Sequence, residues 1–261
     1  MPTSINLTTM TKNELKYYSS LQKKKYRKAE KKFLVEGAKL IREAIDSEFR
    51  CEIVFYTNQF EEKFGEFQEY LKSKGCKSEL ISQKELEKLS DTESPQGIIG
   101  IFNEKTDFLS HSNPKFLLAL EDISDPGNMG AIIRNADWFG LKKIIASKDC
   151  AEIYNPKVIR ASAGSVFHLE ILYSDDFYEF LLRLKQEGHS ILTADLNGES
   201  VYEFTPGDKI ILTLSNEAKG PSDKLKSITD NSITIPGRGK AESLNVAAAS
   251  AILISELARK I

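Results

Sequence analysis

Ile235-Pro236-Gly237-Arg238-Gly239-Lys240-Ala241-Glu242-Ser243-Leu244-Asn245-Val246 joins an apolar run that ends at Ile235 to an apolar run that starts at Leu244. The first reads as a strand over Ser232–Ile235 and the second as a helix over roughly 244–260. Between them, Gly237 and Gly239 allow an open backbone that can approach a ligand closely. Ser243 is placed to cap the helix, and Asn245 is a polar residue in an otherwise apolar helix start, where a buried amide needs partners. Two earlier stretches are built the same way. Leu214-Ser215-Asn216-Glu217-Ala218-Lys219-Gly220 ends the run Lys209–Leu214, and Asp125-Pro126-Gly127-Asn128 through Arg134-Asn135-Ala136 follows the run Phe116–Leu120. In α/β sheets ligands bind outside the carboxyl ends of the strands. Three polar loops at such positions predict one pocket of backbone amides, a surface suited to an adenosine-type cofactor.

Outward from these loops the second half reads as an α/β series. Phe116–Leu120, Lys143–Ala146, Phe167–Leu172, Ser190–Thr193, Lys209–Leu214 and Ser232–Ile235 are near-continuous apolar runs, the pattern of buried parallel strands. Helices are expected at 129–140, 156–163, 175–188, 222–228 and 244–260. The last is apolar nearly all round and must be covered on several sides, by its own sheet or by a partner subunit. The first half is a smaller α/β series: a basic helix over 12–32, then strands at Phe33–Glu36, Cys51–Tyr56, Ser78–Ile81 and Gly97–Phe102. Helices lie between them at 37–47, 59–74 and 83–89. Residues 106–115, inside the polar stretch Asn103–Lys115, read as a linker, dividing the chain into 1–105 and 116–261.

Composition is that of a globular chain, 41% hydrophobic and 28% charged. No apolar run approaches membrane-spanning length, and the first residues lack the apolar core of a secretory leader. Three scattered cysteines suit neither a disulfide framework nor a zinc site, so a reducing, cytoplasmic setting with no metal is expected. The net charge of −2 conceals an asymmetry. Residues 1–32 carry nine basic and two acidic residues, so that segment is +7 and the remainder −9. Lys23, Lys24, Lys25, Arg27 and Lys28 form its densest block, a candidate contact for a polyanion such as RNA, or simply a solvated helix face.

Each loop has a functional and a plain reading. Asn128 is positioned to cap the helix that follows. Arg134 lies about 200° around that helix from Ile132 and faces outward; it could grip a phosphate bidentately, or pair with Asp137 three residues on. Glu217 stands at the sheet rim and could instead cap the helix at 222–228. There is no Gly-x-Gly-x-x-Gly after a strand, no phosphate-binding Gly-Lys-Ser/Thr loop and no nucleophile triad in context.

In order and spacing, Asn128-x-Gly130-x-x-x-Arg134-x-Ala136, Asn216-Glu217-x-x-Gly220 and Ile235-Pro236…Ser243-Leu244-Asn245-Val246 resemble the three motifs of the SpoU (TrmH) family. These are S-adenosylmethionine-dependent RNA 2′-O-ribose methyltransferases of the SPOUT superfamily. Arg160–Gly164 and Val166–Leu169 resemble the segment between the first two motifs. Phe33–Gly37 and Gln96-Gly97 resemble the L30e-like substrate-binding domain of ribosomal-RNA members. The resemblance implies a trefoil-knotted parallel-sheet domain, a cofactor bent into the knot, and a homodimer paired there. It implies cofactor contacts at Leu214, Ser215, Asn216, Gly220, Ile235, Pro236 and Leu244. It implies a catalytic surround of Asn128, Arg134, Glu217, Ser243 and Asn245, with Arg134 either deprotonating the ribose hydroxyl or anchoring an RNA phosphate. One departure is visible: Ser215 and Ala218 stand where the second motif usually has glycine, which implies a retained but weaker cofactor grip. The alternatives are a non-catalytic RNA-binding or ribosome-assembly protein with a vestigial pocket, a transfer-RNA 2′-O-methyltransferase, and a base methyltransferase.

Overall fold

The computed structural model describes residues 10–105 and 114–261. The core of the proposed linker, 106–113, lies outside the described residues. The chain divides into two compact units, the first holding the described residues up to 105 together with Tyr154–Arg160.

In the first unit, α1 (Lys12–Ser20), α2 (Lys24–Glu30), β1 (Lys32–Glu36), α3 (Ala38–Asp46), β2 (Cys51–Tyr56), α4 (Asn58–Ser73), β3 (Ser78–Leu80), α5 (Gln83–Leu89) and β4 (Ile98–Asn103) follow in order. The sheet runs β1-β4-β2-β3; β4 is antiparallel to both neighbours, and β2 and β3 are parallel. Thr11 with Glu14, and Ser82 with Glu85, close capping boxes that start α1 and α5. Leu21, Leu34, Phe55, Leu86 and Ile101 lie in one buried cluster, against which Leu15 and Tyr18 of α1 pack.

The basic segment is two helices, not the expected single one. Arg27 closes over the break. Its Nη1 donates to the carbonyls of Leu21 (2.9 Å) and Gln22 (2.7 Å), groups left without helical partners where α1 ends. Arg27 is only 2% exposed, so its assignment to RNA binding is corrected: it is a structural cap. Lys23, Lys24, Lys25 and Lys28 are all exposed.

The second unit contains β5 (Phe116–Glu121), α6 (Pro126–Trp138) and β6 (Lys143–Ser147). Then come α7 (Pro156–Ala161, most of which clusters with the first unit), β7 (Glu170–Ser174), α8 (Phe177–Gln186), β8 (Ser190–Ser200), β9 (Ile210–Ser215), α9 (Asp223–Ile228), β10 (Asn231–Thr234) and α10 (Val246–Ala258). Its six strands are all parallel, in the order β10-β8-β9-β5-β6-β7. β5 leads through α6 to β6 on one side, while β9, its neighbour on the other, leads through α9 to β10. That divergence is the switch point where such sheets open a crevice.

Two expectations differ. Phe167–Leu172 is not one strand: Ala163 (φ 53°) and Gly164 (φ 101°) turn the chain into a 3-10 turn, Ser165–Phe167, and β7 begins only at Glu170. β8 continues seven residues beyond Thr193, through Ala194–Ser200, pairing with β10 on both sides of an irregularity at Ser232/Ile233. There Gly198 lies flat on the β10 backbone, so that a Cβ would stand 2.5 Å from Ile233 N. Gly198→Ala is therefore expected to cost about 1–3 kcal/mol, lowering the melting midpoint by roughly 2–4 °C for each of them. An unchanged midpoint in a thermal scan would contradict this close crossing.

Candidate active site

Asp125, not Asn128, caps α6: its Oδ1 accepts from Asn128 N at 2.8 Å, and Pro126 takes the first helical position. The Asn128 amide is thereby released to reach elsewhere. Its Nδ2 donates to Glu217 Oε1 (2.5 Å), and its Oδ1 accepts from Asn245 Nδ2 (3.0 Å). Asn245 Nδ2 also donates to Glu217 Oε1 (3.1 Å), as does Val246 N (3.2 Å). Three residues from three segments thus close a ring of hydrogen bonds around one carboxylate oxygen.

Asn245 holds a second post. Its Oδ1 accepts from Ala247 N (3.0 Å) and Ala248 N (3.3 Å), making it the N-cap of α10. Ser243, expected to cap this helix, is exposed and makes no hydrogen bond among the described residues. The Glu217 carboxylate near the α10 N-terminus also complements the helix dipole. It does not cap α9, because Ser222 does so, accepting from Leu225 N at 3.1 Å.

The loop after β9 is pinned from below. Asn216 Nδ2 donates to the Asp122 carbonyl (3.0 Å), while its Oδ1 accepts from Ala218 N (2.9 Å) and Lys219 N (3.4 Å). Lys219 pairs with Asp122 at 3.0 Å, and that hydrogen bond raises the Lys219 pKa above its ordinary value. Gly220 takes a left-handed φ of 64°, which turns the chain toward α9.

Beside the ring lies a cavity of about 320 Å3. Leu214, Ser215, Asn216, Glu217, Gly220, Ile235, Ser243 and Leu244 line it; of the residues assigned to the cofactor, Pro236 alone is not on the wall. The Asn216 side chain is committed to its own loop and to the Asp122 carbonyl, so it is a structural member of the wall. Ser215 Oγ is buried and has no hydrogen-bond partner among the described residues. Asn128, Asn245 and Arg134 are not among the lining residues. Sequence reasoning missed Ala194–Asn197, which form the far wall, and Val246, Ala249 and Leu253 of α10. Residues 194–197 directly follow the apolar run Ser190–Thr193, but they lie inside β8 and carry no strand pattern that would have marked them.

Arg134 is exposed and makes no hydrogen bond or ion pair among the described residues. The alternative pair with Asp137 does not form, because Asp137 Oδ2 is 2.8 Å from His168 Nδ1. Arg134 lies six residues from Asn128, about 9 Å along α6 and 240° around it. Trp138, four residues further and on the same face, is 82% exposed.

Comparison with known proteins identifies the family. Residues 115–255 match the model of the SpoU rRNA Methylase family, and residues 12–100 match that of the MRM3-like substrate binding domain. The chain is 30% identical over 245 residues to a 23S rRNA (guanosine(2553)-2′-O)-methyltransferase of Bacillus subtilis, covering 94% of this chain and 95% of that protein. Among solved structures, a TrmH-family protein from Porphyromonas gingivalis superposes with a TM-score of 0.83 at 30% identity, covering 97% of this chain and 99% of that one. An S-adenosylmethionine-bound rRNA methyltransferase from Sinorhizobium meliloti gives 0.84 at 25% identity, with 97% of each chain covered. With its second unit matched from β5 into α10, and a relative aligned over nearly its full length, the chain belongs to the SpoU rRNA methylase family.

Proposed function

We propose that the protein transfers a methyl group from S-adenosylmethionine to a ribose 2′-hydroxyl of ribosomal RNA, acting as a cytoplasmic homodimer with the knotted path of its family. One observation carries this reading: the Asn128–Glu217–Asn245 ring stands at the rim of a cavity walled by the second and third loops. The cavity fits the cofactor. Leu214, Ile235 and Leu244 offer apolar surface, Asp195 and Asn197 offer groups that can take ribose hydroxyls, and Ser215 Oγ is a buried polar atom that lacks a partner among the described residues. When bound, S-adenosylmethionine supplies an electrophilic methyl group. The protein's own residues then position the acceptor. A guanidinium stays protonated, so Arg134 is better suited to holding the target phosphate and orienting the hydroxyl than to removing its proton. Incubation with unmodified ribosomal RNA and cofactor, followed by nucleoside mass spectrometry, is expected to place the added methyl on ribose. A methyl found on a base, or none despite bound cofactor, would refute the assignment.

Arg134 and Trp138 share an exposed face of α6, and neither is engaged with its own chain's cavity. A second copy docked over Trp138 would bury that indole and could bring Arg134 to the partner's site. Two inactive variants, Arg134→Ala and Glu217→Ala, are then expected to regain about a quarter of the wild-type activity when mixed and reassembled, since half the dimers carry one complete site. No recovery would place Arg134 in its own chain's site.

The exposed lysines of the first unit support phosphate binding. Replacing Lys23, Lys24, Lys25 and Lys28 together by alanine is expected to weaken RNA binding and to shallow its salt dependence. The log–log slope should fall by roughly three, since each phosphate neutralised by a lysine contributes about 0.7–0.9. Arg27→Ala is expected to lower the melting midpoint and leave that slope alone. The reverse pattern would reinstate Arg27 as an RNA-binding residue.

A further inference from the structure

A polar lock joins α6 to α10. Asn135 Nδ2 donates to Ala247 O and to Ser250 Oγ, each at 2.9 Å, and Ser250 Oγ donates to Ala247 O at 2.7 Å. Ser250 is fully buried, at 0% exposure, although Ile132, Ile133, Leu253 and Ile254 on the same two helices are buried and apolar. Burying a hydroxyl among such residues, with a half-buried amide beside it, is costly unless its bonds are made, and small apolar residues would pack the helices without that cost. What the lock adds is a fixed height. Its bonds form only when the first turn of α10 sits at one level against α6. Ala247 is two residues from Asn245, and Asn135 is seven residues from Asn128, two turns along the same face of α6. The Asn135 lock and the Asn128–Asn245 bond are thus two rungs between the same pair of helices.

We propose that Asn135 is a positioning residue for methyl transfer, acting through Asn245: it sets the register of α10 on α6 at which the Asn128–Glu217–Asn245 ring closes. This rests on the reading above that the ring serves the transfer. Asn135 need not touch RNA or cofactor to do so. A misplacement of about 1 Å at a remote residue can cost up to about a hundredfold in rate.

The test is a double-mutant cycle on the full-length protein, with kcat for ribosomal RNA as the readout. Asn135→Ala is expected to lower kcat about tenfold or more while leaving RNA affinity within about twofold. Asn135→Ala combined with Asn245→Ala is expected to be no slower than Asn245→Ala alone, because both changes open the same ring. Losses that multiply, or a wild-type kcat for Asn135→Ala beside a slow Asn245→Ala, would overturn the positioning role and leave the proposed function standing. A wild-type kcat for Asn245→Ala would overturn the ring's role and this inference together. Should Asn135→Ala not fold, Asn135→Ser keeps a short donor and carries the same cycle, with an expected loss of roughly threefold and the same non-additivity.

Discussion

Arg134→Ala should lower single-turnover methyl transfer by about 10²–10³, the range seen when one donor to a developing or anchored anion is removed. Binding of S-adenosylhomocysteine should not change, because Arg134 does not line the cavity. The size of the effect follows from the side chain's situation. Arg134 is exposed and engages nothing else among the described residues, so its guanidinium is available to a phosphate and its loss leaves no hole in the packing. The melting midpoint should therefore hold. Arg134→Lys keeps the charge but loses the planar fork, and should recover only part of the rate. Rapid-quench transfer assays together with calorimetry separate these quantities. Wild-type transfer by Arg134→Ala would remove the residue from the chemistry altogether.

Glu217→Ala should be nearly as severe, for a different reason. One carboxylate oxygen accepts from Asn128 Nδ2, Asn245 Nδ2 and Val246 N. Its removal frees both amides and leaves the α10 N-terminus without its nearby anion. Glu217 also lines the cavity. Both turnover and cofactor affinity should fall, turnover by about 10² or more if the ring positions the reacting groups. Glu217→Gln retains an oxygen for the same donors and should stay within about tenfold of wild type. If the Gln variant is as inactive as the Ala variant, the negative charge itself is required, and a purely positioning role for Glu217 is wrong.

The parallel sheet was legible because strands covered on both faces must be apolar throughout, and Phe116–Leu120, Lys143–Ala146 and Lys209–Leu214 are such runs. The outer reach of β8 was not legible. Asp195, Asn197 and Glu199 carry no strand pattern, and the extension exists only because β10 pairs with it across an irregularity. Cap identities were half legible. Asp125 before Pro126 was a readable N-cap, but Asn128 competed for the same role until the structure showed its amide engaged with Glu217 and Asn245. The closure over the break between α1 and α2 depends on where one long side chain ends: a basic block seen in sequence gives no sign that Arg27 turns inward onto the carbonyls of Leu21 and Gln22. The ring itself joins residues 89 and 117 positions apart. Motif order suggested that its members meet, but no periodicity could, since nothing local connects them.

The placement of the methyl donor is the point on which the rest depends. A second cavity, about 580 Å3 and bordered by Glu121, Asp149, Asp175 and Asp223, opens beside the same Asn216–Gly220 loop and offers a larger volume. A crystal structure of the full chain with S-adenosylhomocysteine distinguishes the two. Density is expected between Leu214–Ser215, Ile235 and Leu244, with a ligand atom within hydrogen-bonding reach of the Ser215 side chain. Density in the acidic cavity instead, with the first one empty, would contradict the assignment.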